Sequence, residues 1–535
     1  MSVSPSPSPF RRPVLSRRAF LGVGVGALAT AALAACSNTA GSMSGNSSMS
    51  MGAGSATSGS ASGSAAGWVN PSGAEVLRVE QARAGTGRVT DVSLVAGAAT
   101  LDLAGTTAKT MAYGPVPAQV IRLGAGDTLR AAVRNDMAVD TSVHFHGVAM
   151  RNDMDGVPPV TQAAIAAGQS FTYDFVVPHA GTYWFHPHVG VQLDQGLYGA
   201  LVVEDPSEPL AYDDDWVVVL DDWLDGVTAT PDDVLTELKG GMGDMSGMGD
   251  MYMRMGNMLM GADSDLLGGD AGDVFYPYFL INGKPVADPT VFTGKPGSKV
   301  RIRFVNAGAD TAFQVALGGH TMTVVHSDGF PVNPVEVDSV LIGMGERYDV
   351  IVTLGDGAFP LVAEALGKRD KAFAVVRTAD GAATPSADAA VAELSTSRVG
   401  TASMLTAPDS VTLAAREPDR ALTFNLTGGM AGYDWGINGR QFNMTDPLSD
   451  AYAVREGERV RLTIYNDSDM WHPFHIHGHT YQHTGGGPRK DTSIVLPKQT
   501  LTVDFDADNP GLWMAHCHNI YHAESGMMTT IGYQV

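Results

Sequence analysis

One short segment is written three times along the chain, and each copy ends in the same residue. Thr128-Leu129-Arg130-Ala131-Ala132-Val133-Arg134-Asn135, Val300-Arg301-Ile302-Arg303-Phe304-Val305-Asn306 and Val460-Arg461-Leu462-Thr463-Ile464-Tyr465-Asn466 each carry an apolar residue at every second position. That alternation predicts a strand, and a repeat at this spacing predicts one module used three times. From Val76 to Val535 short alternating segments are broken by Gly, Pro, Asp and Asn, which argues β-sandwiches or barrels rather than helices. The expected fold class is therefore all-β, with domains at 76–205, 210–390 and 400–535 and Ala/Thr/Ser-rich linkers near 380–405.

The histidines follow the repeat. Nine residues after Asn135 stands His144, and nine after Asn466 stands His475; twelve after Asp174 and Asp504 stand His186 and His516. Each opens a His-x-His pair: His144/His146, His186/His188, His475/His477 and His516/His518. On a strand such a pair puts both rings on one face, about 6 to 7 Å apart along the backbone, so neighbouring rings can serve neighbouring metals. With His472 and His522, these pairs hold ten of the fifteen histidines, all in the outer modules. At the matching positions the middle module carries Val315, Leu317, Leu361 and Ala363, so it reads as a spacer without metal.

Residues 516–528, HCHNIYHAESGMM, contain Cys517, the only cysteine besides Cys36. A thiolate at Cys517, an imidazole at His522 and a thioether at Met527 are a soft donor set that suits copper. Side chains alternate on a strand, so His516 and His518 face away from Cys517 toward a second site.

Taken together, His144-Phe145-His146-Gly147, Trp184-Phe185-His186-Pro187-His188, His472-Pro473-Phe474-His475-Ile476-His477-Gly478 and the Cys517 segment resemble the four copper motifs of three-domain multicopper oxidases of the laccase and bacterial cuprous oxidase kind. The resemblance covers essentially the whole mature chain. It implies three cupredoxin-like Greek-key domains and four copper ions. His472, Cys517, His522 and axial Met527 would hold the type 1 copper, and His144 and His475 the type 2 copper. His146, His186 and His518 would hold one type 3 copper, and His188, His477 and His516 the other, between domains one and three. The implied reaction is one-electron oxidation of substrate at type 1 copper coupled to four-electron reduction of dioxygen to water. Asp155 matches the family's proton-relaying acid, whereas Ala523 stands where cuprous oxidases of this family usually carry Glu; Glu524 follows it.

Eight methionines fall between Met242 and Met260: Met242, Met245, Met248, Met251, Met253, Met255, Met258 and Met260. Interleaved with Gly and Asp, they read as an exposed loop of domain two able to bind Cu(I). Asp467, Asp469 and Met470, just before His472, stand where copper-tolerance members of this family form part of a substrate copper site. The expected substrate is Cu(I); the alternative is a laccase-like oxidase of phenols and aromatic amines, and a non-catalytic copper-binding protein is a third reading. A formal charge of -23 excludes a basic face for nucleic acid and favours cations. Ser16-Arg17-Arg18-Ala19-Phe20-Leu21 resembles a twin-arginine export signal and Leu33-Ala34-Ala35-Cys36 a lipobox. The expectation is a signal over residues 1–35, a flexible tether over 36–75 and a protein lipid-anchored at Cys36 outside the cytoplasmic membrane, in the periplasm or on the cell-envelope face.

Overall fold

The computed structural model describes residues 67–240 and 251–535; the export segment, Cys36, Met242, Met245 and Met248 lie outside them. Each copy of the repeat is an inner strand of a sheet and pairs in the same way. Thr128–Asn135 runs parallel to Val89–Leu103 and antiparallel to Ser170–Val176. Lys299–Asn306 lies likewise between Asp214–Trp223 and Arg347–Thr353, and Arg459–Asn466 between Arg420–Thr427 and Thr500–Asp506. A second sheet faces each of these, giving three two-sheet sandwiches and the all-β class expected.

The shared Asn has a shared task. Asn135, Asn306 and Asn466 are fully buried, and each amide donates to two backbone carbonyls while its oxygen accepts a backbone N–H two residues on. Buried backbone groups in the turn are thereby satisfied, and the chain leaves every strand along the same path. The repeat also pairs charges across strands, with Arg130 opposite Asp174, Arg303 opposite Asp349 and Arg461 opposite Asp504. The outer pairs are partly exposed; the middle one is buried, where Asp349 takes both Arg301 and Arg303.

The second sheets carry the histidines. His144–His146 pairs with Gly181–His186 so that His144 lies opposite His186, and His472–Ile476 pairs with Leu512–Cys517 so that His475 lies opposite His516. His188, His477 and His518 fall one or two residues past their strands, where the backbone is free to turn each ring toward its neighbours.

Three expectations need correction. Residues 74–82 are a helix, and the first strand starts at Val89. The linker holds the helix Ala387–Leu394, capped by Ser386 and packed through Ala390 and Leu394 on Val362 and Phe373, since its alanines supply an apolar face. Met251 is exposed as expected, but from Met253 on the methionine segment is no loop. Met253–Met255 and Met258–Met260 form a hairpin. Leu259 N–H donates to Asp273 O, and Met258 and Leu259 are buried in the large apolar core that runs between the modules, which offsets the lack of an apolar run. Among the described residues no helix is long and apolar enough to cross a membrane.

Candidate metal centres

At one centre three donor atoms converge. Cys517 Sγ lies 3.5 Å from His472 Nδ1 and 3.7 Å from His522 Nδ1, and the two nitrogens are 3.2 Å apart. Strand position delivers Cys517 and His472; a cap delivers His522. Asn519 accepts from the N–H groups of Tyr521 and His522 and starts the short helix Ile520–Glu524, which swings His522 back toward Cys517. Cys517 N–H donates to Met527 O, which returns the buried Met527 to the same place. Burial holds His472 well below its ordinary range and His522 down to about 3, and pushes the Cys517 thiol up. Two neutral imidazoles and a thiol without a charged partner in a dry pocket form a site that a cation completes, because metal binding is what stabilises the thiolate there.

Eight histidines build a second centre between the first and third modules. The rings of His146, His186 and His518 lie 5.9, 4.9 and 5.3 Å apart, and His477 Nε2 lies 3.0 Å from His516 Nε2 beside His188. His144 and His475 face each other at 5.9 Å. Backbone carbonyls fix the ring orientations: Nδ1–H of His144, His186, His475 and His516 donates to the carbonyl of Asp155, Pro187, Asp491 and Cys517. Consequently His144 Nε2, His186 Nε2, His475 Nε2 and both nitrogens of His518 are buried without a hydrogen-bond partner. His146 is reversed, its Nε2–H donating to Asp491 Oδ1 and its Nδ1 left bare. Unpaired buried nitrogens are costly unless a metal takes them, so these residues fit copper.

The acids separate into groups. Asp155 is buried and holds two ligands, its backbone carbonyl accepting from His144 Nδ1–H at 2.8 Å and its Oδ2 from His477 Nδ1–H at 3.0 Å. Glu524 lies elsewhere: burial raises its carboxyl, its charged neighbours are Lys239 and Asp232, and Lys239 Nζ donates to its carbonyl. Asp467 and Asp469 are exposed and paired with Lys498 rather than aimed at His472. The residue that reaches His472 is Ser468, Oγ 2.8 Å from Nε2, placed there by Asn466. Across the centre His522 Nε2 lies 3.4 Å from Asp273 Oδ2, contributed by the middle module. Met470 is buried, and its backbone bridges to Asp270.

Sequence reasoning missed Ser468, Asp273 and Asp491. None of them carried a local ligand signal; Asp491 sits in the run Arg489-Lys490-Asp491-Thr492, three residues of which are strand and most of which is buried. His179, His320, His326, His479 and His483 join none of the metal-spaced groups among the described residues.

Sandwiches that divide ten histidines and a cysteine between two such centres define an oxidase of the blue-copper type. Family models described as multicopper oxidase match residues 96–208, 214–381 and 415–534, and the chain belongs to the multicopper oxidase family. Its cofactors are the family's type 1, type 2 and type 3 copper ions. The chain is 45% identical over 527 residues to multicopper oxidase MmcO of Mycobacterium tuberculosis, covering 97% of this chain and 96% of that protein. It is 28% identical to copper resistance protein A of Escherichia coli, over 83% and 92%, and 28% identical to Laccase-2 of Cryptococcus neoformans, over 78% and 79%. In fold it is similar to Fet3p, titled a multicopper oxidase that functions in iron import, with TM-score 0.67, 22% identity and coverage of 83% and 90%. It is similar also to the laccase of Botrytis aclada, with TM-score 0.65, 24% identity and coverage of 84% and 88%.

Proposed function

We propose that this oxidase takes its electrons from Cu(I), converting it to Cu(II) while dioxygen is reduced to water. One observation carries the choice over phenols. Both imidazoles beside Cys517 are fully buried, and their outward nitrogens are already occupied, His472 Nε2 by Ser468 and His522 Nε2 by Asp273. Trp435 covers His522 with ring centroids 4.2 Å apart. A phenol is oxidised most readily at an open imidazole edge and is a poorer donor where that edge is covered, whereas an ion needs only donors leading inward. Met253, Met255 and Met260 on the hairpin, then Asp270 beside Met470, are such donors.

Bound copper supplies the one-electron steps and the binding of dioxygen. The chain's part is to hold geometry and move protons. Cys517, flanked by His516 and His518, gives a covalent route from one centre to the other. Asp155 Oδ1 has no hydrogen-bond partner and is the atom that passes protons inward. The balance is four Cu(I), one dioxygen and four protons to four Cu(II) and two waters.

Replacing Met253, Met255 and Met260 by Leu conserves volume and should lower Cu(I) oxidation about tenfold, about 1.4 kcal/mol, with phenol oxidation unchanged. Equal loss toward both substrates would refute the reading. Twin-arginine export and lipidation at Cys36 complete the proposal, on the strength of the two N-terminal motifs. Cell fractionation of Cys36→Ala should shift the protein from membrane to soluble extracytoplasmic material, and unchanged partition would exclude the anchor.

A further inference from the structure

Among its described residues the middle module gives no ligand to either histidine-lined centre, yet one of its side chains reaches the histidine cluster. Arg347 opens the strand Arg347–Thr353 and is fully buried. Its guanidinium touches all three modules: Nε donates to Thr182 O of the first, Nη1 to Gly345 O of its own loop, and Nη1 and Nη2 to Asp491 of the third at 2.7 and 2.6 Å. Asp491 then accepts from His146 Nε2 through Oδ1 and from His475 Nδ1 through its carbonyl. Asp328, also of the middle module, accepts from the N–H groups of Asp491 and Thr492 and so fixes the backbone on which that carboxylate sits.

Close approach shows how tightly this loop is set against the cluster. Gly345 has φ +82°, and a Cβ there would lie 2.8 Å from His518 Cδ2 and 3.1 Å from His146 Cε1. Gly147 follows the first His-x-His pair with the same φ, and its Cβ would lie 2.4 Å from Arg347 Nη2. The glycine after His144-Phe145-His146 is thus required because a guanidinium from another module occupies the space.

We propose that Arg347 is a positioning residue for the trinuclear copper cluster, acting through Asp491 to keep His146 turned with Nδ1 toward the metal. The inference rests on histidines holding the cluster but not on the identity of the electron donor. A bidentate guanidinium fixes the plane of its carboxylate, and the carboxylate fixes which imidazole nitrogen is bare. Lys cannot replace it, since an ammonium has the charge without the fork.

The test is to load copper into wild-type apoprotein, Arg347→Lys and Arg347→Met, with Arg301→Lys as a control at a buried ion pair that touches His326 but none of the eight cluster histidines. In Arg347→Lys the blue type 1 absorption should be retained, while the near-ultraviolet absorption of the type 3 pair and the EPR signal of type 2 copper are weakened or altered. Trinuclear copper affinity and oxygen turnover should fall about 10- to 100-fold, and further in Arg347→Met if it folds. The Arg301→Lys control should leave all three signals in proportion. Two results would overturn the proposal: wild-type trinuclear spectra and copper content in Arg347→Lys, or a loss of type 1 and trinuclear signals together, which marks general destabilisation. Because Cu(I) and phenol should lose turnover alike here, failure of this test is distinct from failure of the substrate reading.

Discussion

His146 and its seven partners differ in which nitrogen is left bare, and a carbonyl or a carboxylate decides it in each case where a partner exists. Asp155 serves two of these rings and keeps one oxygen unpaired. Asp155→Asn preserves the shape but cannot carry a proton, so oxygen consumption should fall about 100-fold while anaerobic reduction of the type 1 centre keeps its rate. Stopped-flow measurement of both steps checks this, and equal slowing would make Asp155 structural only. Ala523 shows why a second acid is not simply interchangeable here. It is buried against Val157, Val160 and Met528, and a carboxylate in that apolar cluster would cost several kcal/mol.

Strands and their ends were legible because their signal is local. The Asn-terminated repeat, the His-x-His alternation and the Cys517 segment each lie within one element, where a period of two tells which side chains share a face. The helix Ala387–Leu394 was not legible in an Ala/Ser-rich stretch that reads equally as linker. Ser468 was hidden because the flanking Asp467 and Asp469 have the more familiar ligand chemistry; only the turn set by Asn466 shows that the hydroxyl, not the carboxylates, faces His472. Asp273 and Arg347 lie 249 and 144 residues from His522 and Asp491, the groups they contact, and no local pattern carries such a pairing. The methionine hairpin is intermediate: its composition was plain, but its burial depends on Asp273 O and Val274.

Across the molecule the first module has an apolar core of its own around Phe145, Phe175 and Phe185, while the second and third share a larger one to which the first adds a patch that includes Trp184, Leu193 and Tyr198. Copper held by histidines of modules one and three would tie these cores together, since binding to the native state alone adds about 4 kcal/mol when free ligand is a thousandfold above its Kd. Chelating the copper should lower the calorimetric midpoint and split a single transition in two, the first module melting apart from the others; one unshifted transition in the copper-free protein would refute this. The division of the cluster between His144–His188 and His475–His518 also sets an order of events. A ribosome must add the whole middle module after His188 before the second half of the ligand set exists, so no polypeptide that stops short of His475 can hold the metal in its final geometry. Metallation of that centre would then act as a proofreading step, open only to molecules whose first and third modules have already met.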